Sequence, residues 1–201
     1  VAAATLCAVL PGVDAAAVPT TVQSTVQSTV QSTVQSTAEV PVVAAPRTAS
    51  GMPAGIEDLS PYLPQVSCHP TAMPGAAALG DLLRATYPGT SYSIGRDCGA
   101  DGMASEHYEG RAVDWFVSVR NPTQAAQARA VLDWLFADDA AGHPYANARR
   151  LGVMYVIWNN AIWGSYRPGD GWRPYSDCAA APSTGSDTRC HRDHIHLSLS
   201  W

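Results

Sequence analysis

Apolar residues in the last 150 positions of the chain fall into short runs whose period changes from one run to the next. Over residues 76–87, Leu79, Leu82 and Leu83 share one face of a 3.6-residue repeat, and Pro88-Gly89 stops it, which predicts a helix. Residues 91–97 alternate as a strand. Residues 111–119 alternate again, with Ala112, Asp114 and Phe116 on one face and Val113, Trp115 and Val117 on the other. Asn121 caps a helix that carries Pro122 in its first turn, extends to about Ala137 and turns Ala130, Val131, Trp134 and Leu135 inward. A short helix over 145–151 ends at Gly152. The unbroken apolar run 153–158 marks a central strand. Asn159-Asn160 suits a two-residue hairpin turn because Asn tolerates positive φ, and 161–166 returns. Residues 194–201 alternate once more and close the chain. Helices interspersed with antiparallel strands predict an α+β domain, a small antiparallel sheet with flanking helices.

The first part of the chain has none of this patterning. Residues 1–17 form an apolar stretch ending in small residues, as a signal peptide does. From Thr21 to Ser36 the chain repeats Thr-Val-Gln-Ser, and one apolar residue in four matches neither a strand face nor a helical stripe. Residues 18–55 therefore read as a low-complexity linker, and 56–201 as the folded domain. All six Trp and all eight Tyr lie beyond Ser60, which places the core there.

Charge and cysteine usage narrow the class. A net charge of −5 argues against nucleic acid as a partner, and no apolar run is long enough to span a bilayer. Cys7 would leave with the signal segment, so four cysteines remain, an even count that suggests two disulfides in an exported protein. Three pairings are possible. Cys68 with Cys98 and Cys178 with Cys190 is favoured, because each pair brackets one irregular segment. A monomer is expected.

Two clusters carry the chemistry. One is Ser105-Glu106-His107-Tyr108-Glu109-Gly110-Arg111-Ala112-Val113-Asp114, and the other is His191-Arg192-Asp193-His194-Ile195-His196. Four of the six histidines fall in these two stretches, which scattered surface histidines would not do. Zinc takes a tetrahedral set of nitrogen and oxygen ligands, and a catalytic site leaves one position open. His107 and Asp114 can converge if Gly110 turns the chain between them. His194 and His196 leave the same face of a strand about 7 Å apart, so one can bind a metal while the other reaches substrate or water.

The string Ser105-x-His107-x-x-Gly110-x-Ala112-x-Asp114 resembles the first zinc motif of D-alanyl-D-alanine carboxypeptidases and of the fold they share with hedgehog signalling domains. His194-Ile195-His196 is similar to their closing His-x-His motif. With His191 three residues earlier, the segment also resembles penicillin-insensitive murein endopeptidases. From Cys68 to Trp201 the chain further resembles a C-terminal domain common in exported actinobacterial proteins. The resemblance implies Zn²⁺ bound by His107, Asp114 and His196, with His194 as base or transition-state stabiliser. Carboxypeptidases place a Glu three residues before the last ligand, and that position here is Asp193. The general base is therefore open among His194, His191 and Asp193, in that order.

Arg96 is a candidate clamp for a substrate carboxylate or oxyanion, with a surface salt bridge as its alternative. Ser105 is expected to hold its loop beside the substrate rather than act as a nucleophile, since no triad partners accompany it. Trp172 and Tyr175, in a Pro/Gly-rich loop, are candidates to line a groove, whereas Trp115, Trp158 and Trp163 read as core. Glu106 and Glu109 read as solvated loop charges. These features together predict a secreted, wall-associated zinc peptidase acting on peptidoglycan or other cell-wall peptides. The alternative is a non-catalytic zinc-containing wall-binding module on the same fold.

Overall fold

The computed structural model describes residues 43–46, 56–99, 104–175, 178 and 186–201. The signal-like segment and the Thr-Val-Gln-Ser repeat lie outside the described residues.

Helix α1 (Pro74–Thr86) starts on a proline and buries Ala76, Leu79 and Leu83. Helix α2 (Pro122–Phe136) is capped by Asn121, whose side chain accepts from the Thr123 and Gln124 N–H groups. Its buried residues are Ala126, Ala128, Val131 and Leu135. Ala130 is only half-buried, because the face turned inward begins a turn earlier than the apolar pattern suggests. Helix α3 (Ala146–Arg150) is a single short piece.

Among the described residues, six strands make one sheet: β1 (Ser91–Ser93), β2 (Ala112–Phe116), β3 (Val153–Trp158), β4 (Ala161–Gly164), β5 (Arg173–Pro174) and β6 (Ile195–Leu199). The spatial order is β1-β2-β6-β3-β4-β5, and every neighbouring pair is antiparallel. The described chain is thus α+β. Asn159 and Asn160 both take positive φ in the β3–β4 hairpin, as their position between two strands requires.

Four strands are shorter than the sequence pattern suggests, β4 ending at Gly164 and β6 covering only Ile195–Leu199. β1 stops at Ser93 because the Ile94 carbonyl turns to the His107 ring, and Gly95 passes so close to Pro70 that a Cβ would lie 2.3 Å from its carbonyl oxygen. β2 stops at Phe116, after which the Ser118 N–H is taken by the Gln124 side chain and the Val119 N–H by the Arg192 carbonyl.

The sheet has two unlike faces. Val113, Trp115, Val156, Ile195, Leu197 and Leu199 belong to one buried cluster with Leu79, Leu83, Val131 and Leu135 of the helices. Strand alternation sends Asp114, Tyr155, Ile157, His196 and Ser198 the other way. A bulge between Val153 and Tyr155 shifts the β3–β6 register by one residue, so Val153 pairs with Leu199 and Tyr155 with Ser198. Val153 thereby joins the core while Tyr155 faces away from it.

Residues 56–66 run across the surface of the domain. Arg149 donates to the Glu57 carbonyl, Ser60 and Ser200 share a hydrogen bond, and Arg111 donates to Leu63. Within the stretch read as linker, Val43 packs against the core and Ala44 accepts from the Tyr87 hydroxyl. Cys68–Cys98 and Cys178–Cys190 are both disulfide-bonded. Among the described residues, no helix is long and apolar enough to cross a membrane.

Candidate metal centre

Three pieces of chain meet on the polar face of the sheet. The first is a 3₁₀ turn, Glu106–Glu109, with Ser105 as its cap and Gly110 ending it at φ 66°. That left-handed turn lets the chain reverse from His107 into β2, where Asp114 sits. Asp114 is directly opposite His196 on β6, so the two side chains leave the sheet on the same side.

The result is a tight group. His107 Nε2 lies 3.1 Å from Asp114 Oδ2 and 3.2 Å from His196 Nδ1, while His196 Nδ1 lies 2.9 Å from Asp114 Oδ1. One ligand atom from each of the three residues falls within 4.8 Å of the others. Ligands about 2.0–2.1 Å from a tetrahedral zinc would sit about 3.3 Å apart, close to the separation of the two imidazole nitrogens and to that of each from its nearer Asp114 oxygen. The donor set of two imidazoles and a carboxylate could hold a metal ion.

Both imidazoles are held from behind. His107 Nδ1 meets the Ile94 carbonyl, leaving Nε2 for the site. His196 Nε2 is 3.0 Å from Ser198 Oγ, leaving Nδ1 for the site. Ser198 donates onward to Glu106 Oε2 at 3.1 Å, and the Tyr155 hydroxyl donates to the same oxygen. Burial and the Glu106 charge push the Tyr155 phenol far up, so it stays a donor.

The electrostatics follow from this packing. Burial alone would raise the Asp114 carboxyl, but hydrogen bonds and charge from His107 and His196 more than offset it and hold it well below the usual range. Burial works against protonation of His107, yet Asp114 and the Ile94 carbonyl outweigh it and raise the imidazole. His191 goes the other way: burial, then the charges of His196 and His194, push it down to about 3, so its ring is neutral.

A cleft of about 300 Å³ opens over the group. His194 lies at its wall, with Nδ1 2.7 Å from Asp193 Oδ1 and Nε2 3.6 Å from Asp114 Oδ1. Asp193 also accepts from the Thr188 hydroxyl and is not itself a cleft-lining residue. Arg96, Ser105, Tyr175 and His191 line the cleft, as do Thr188 and Arg189. The Ser105 hydroxyl accepts from the His107 N–H, so it caps the turn. Trp172 lies elsewhere, 41% exposed and edge-on to Phe136. Trp115, Trp158 and Trp163 are core residues.

The two glutamates differ from the sequence reading. Glu106 is 3% exposed and sits behind His196. Glu109 ties down the loop before Cys68 by accepting from the Val66 and Ser67 N–H groups and from Arg111. Nothing local to residues 105–110 announces either partner set. For Ser198 a signal existed, since strand alternation puts it on the face of His196.

A family model described as VldE, C-terminal domain, matches residues 68–191, more than half of the chain. The chain belongs to the VldE C-terminal domain family. The matched VldE stretch contains His107 and Asp114 and ends at His191, so the closing strand with His196 lies beyond it. No curated protein and no solved structure matches the chain.

Proposed function

We propose that this VldE C-terminal domain is a secreted, zinc-dependent peptidase that hydrolyses amide bonds of cell-wall peptides, peptidoglycan foremost. The observation that carries the reading is the open three-ligand group of His107, Asp114 and His196 at the floor of a cleft, with His194 beside it. Two nitrogens and one oxygen with one side free suit catalytic zinc better than a closed structural site. When bound there, zinc polarises a carbonyl and acidifies water. The likeness of both motifs to carboxypeptidases and murein endopeptidases supports the same chemistry.

The chain's own groups supply the rest. Asp193 accepts a hydrogen bond from His194 Nδ1–H, which leaves the Nε2 lone pair toward the cleft. His194 Nε2 then accepts the proton of the attacking water and returns it to the leaving amine. Neutral His191 stands 4.7 Å from His194, ring to ring, and is the second candidate for proton transfer. Arg96 and Arg189 give the cleft positive charge suited to a substrate carboxylate. Two disulfides fit an oxidising, extracellular location.

One observation favours a second reading, a zinc-containing wall-binding module without turnover. Asp193, at the position where carboxypeptidases carry a Glu, is occupied by His194 and Thr188 rather than lining the cleft. Metal analysis of the purified protein followed by digestion of purified sacculi separates the two. The peptidase reading expects one zinc per chain, released muropeptides, and at least a 100-fold slower release by His194→Ala with zinc retained. Stoichiometric zinc with sacculi bound but uncut would leave the module instead.

A further inference from the structure

Glu106 is a buried acid one residue from a ligand, and its carboxylate does not line the cleft. Its Oε2 receives two hydroxyls, from Tyr155 and from Ser198, and Ser198 Oγ in turn lies 3.0 Å from His196 Nε2. The four groups come from three separate elements: the 3₁₀ turn, β3 and β6. Residue 155 reaches this position because the β3 bulge sets it opposite Ser198.

The chain of hydrogen bonds has a direction. Glu106 Oε2 accepts from both hydroxyls. The single hydroxyl proton of Ser198 therefore goes to Glu106, and its oxygen is left as an acceptor. His196 must then donate from Nε2, so Nδ1 is the ring atom left facing His107 and Asp114 and the one that would offer its lone pair to a bound cation. A ring free to take the opposite tautomer would present a proton to the cation. We infer that Glu106 is a positioning residue that acts through Ser198 to fix the tautomer and orientation of His196 and so strengthens metal binding. Outer partners of metal-bound histidines commonly contribute 10–100-fold in affinity. The inference rests on the metal-centre reading but not on any turnover.

Zinc affinity measured by chelator competition tests it, alongside the imidazole ¹H–¹⁵N spectrum of the zinc-loaded protein. Ser198→Ala and Glu106→Gln should each weaken binding about tenfold or more, and the double variant should lose little beyond either single one, since both break one chain. The hydrogen-bonded Nε2 proton of His196 should shift in both variants. Asp81→Asn, at an acid of α1 that pairs with Arg84 and Tyr92 instead, should leave affinity and that proton unchanged. Ser198→Ala removes one hydroxyl and keeps the buried acid, so it remains informative if Glu106→Gln does not fold. Singles within twofold of wild type, or losses that multiply in the double variant, would overturn the role of Glu106 while leaving the metal centre standing. A wild-type protein that takes up no zinc would overturn the metal centre itself.

Discussion

Glu109 shows how much a single side chain can carry in a domain whose N-terminal loop has little regular structure. Burial pushes its carboxyl up, but the Val66 and Ser67 N–H groups, Arg111 and the Ser67 hydroxyl outweigh that and hold it below its ordinary 4.5. The unfolded chain therefore binds this proton at a higher pH than the folded one. Stability from Glu109 is complete above about pH 4.5 and is lost as the pH falls below it. Glu109→Gln should be less stable than wild type by about 1–3 kcal/mol at pH 7, and the gap should narrow toward pH 3; urea midpoints at both pH values check this. The sequence could not reveal this role, nor that of Glu106. Apart from Arg111, the partners come from 42 or more positions away, and an acid in a polar loop looks solvated until they arrive. His107, Asp114 and His196 are singled out by the resemblance of their motifs; strand pairing accounts for Asp114 and His196 sharing a face, while His107 reaches them from the 3₁₀ turn.

At the scale of the element, the decisive piece is the turn between His107 and β2. Gly110 takes φ 66°, and a Cβ there would sit 1.9 Å from the Thr71 carbonyl oxygen. Backbone, not a pliant side chain, blocks the space. Gly110→Ala should cost at least about 2 kcal/mol, combining left-handed strain with the displaced 71–72 segment. Because the turn sets the angle between two ligands, zinc affinity should fall with it; chemical denaturation and chelator competition on one preparation read both. The sequence pattern captured helices and central strands well because packing follows period. It missed the β3 bulge, since a run of consecutive apolar residues hides where the alternation skips. It overran β1, because a strand ends when its carbonyl finds another partner, and that partner is His107, 13 residues on.

Across the whole molecule, the two crosslinks close spans of very different length. Cys68–Cys98 spans 30 residues, including all of α1 and β1, whereas Cys178–Cys190 spans 12. Chain-entropy reasoning assigns about 3.7 kcal/mol to the longer closure and about 2.9 kcal/mol to the shorter. Replacing Cys68 and Cys98 with Ser should therefore lower the thermal midpoint more than replacing Cys178 and Cys190. The shorter link lies close to Thr188, Arg189 and His191 of the cleft wall, so its loss should show more in ligand affinity than in melting. Differential scanning calorimetry beside zinc titration distinguishes the two variants.

The strict alternation along β6 also limits how the gene can change. Ile195, Leu197 and Leu199 face the helices while His196 and Ser198 lie on the opposite face, His196 lining the cleft. Inserting or deleting one codon within this stretch would exchange the two sets at a stroke, seating imidazole among leucines and leucine where His196 stands. Length variation in relatives should therefore collect in the loop closed by Cys178 and Cys190, upstream of His191, where added residues leave the phase of the last strand intact.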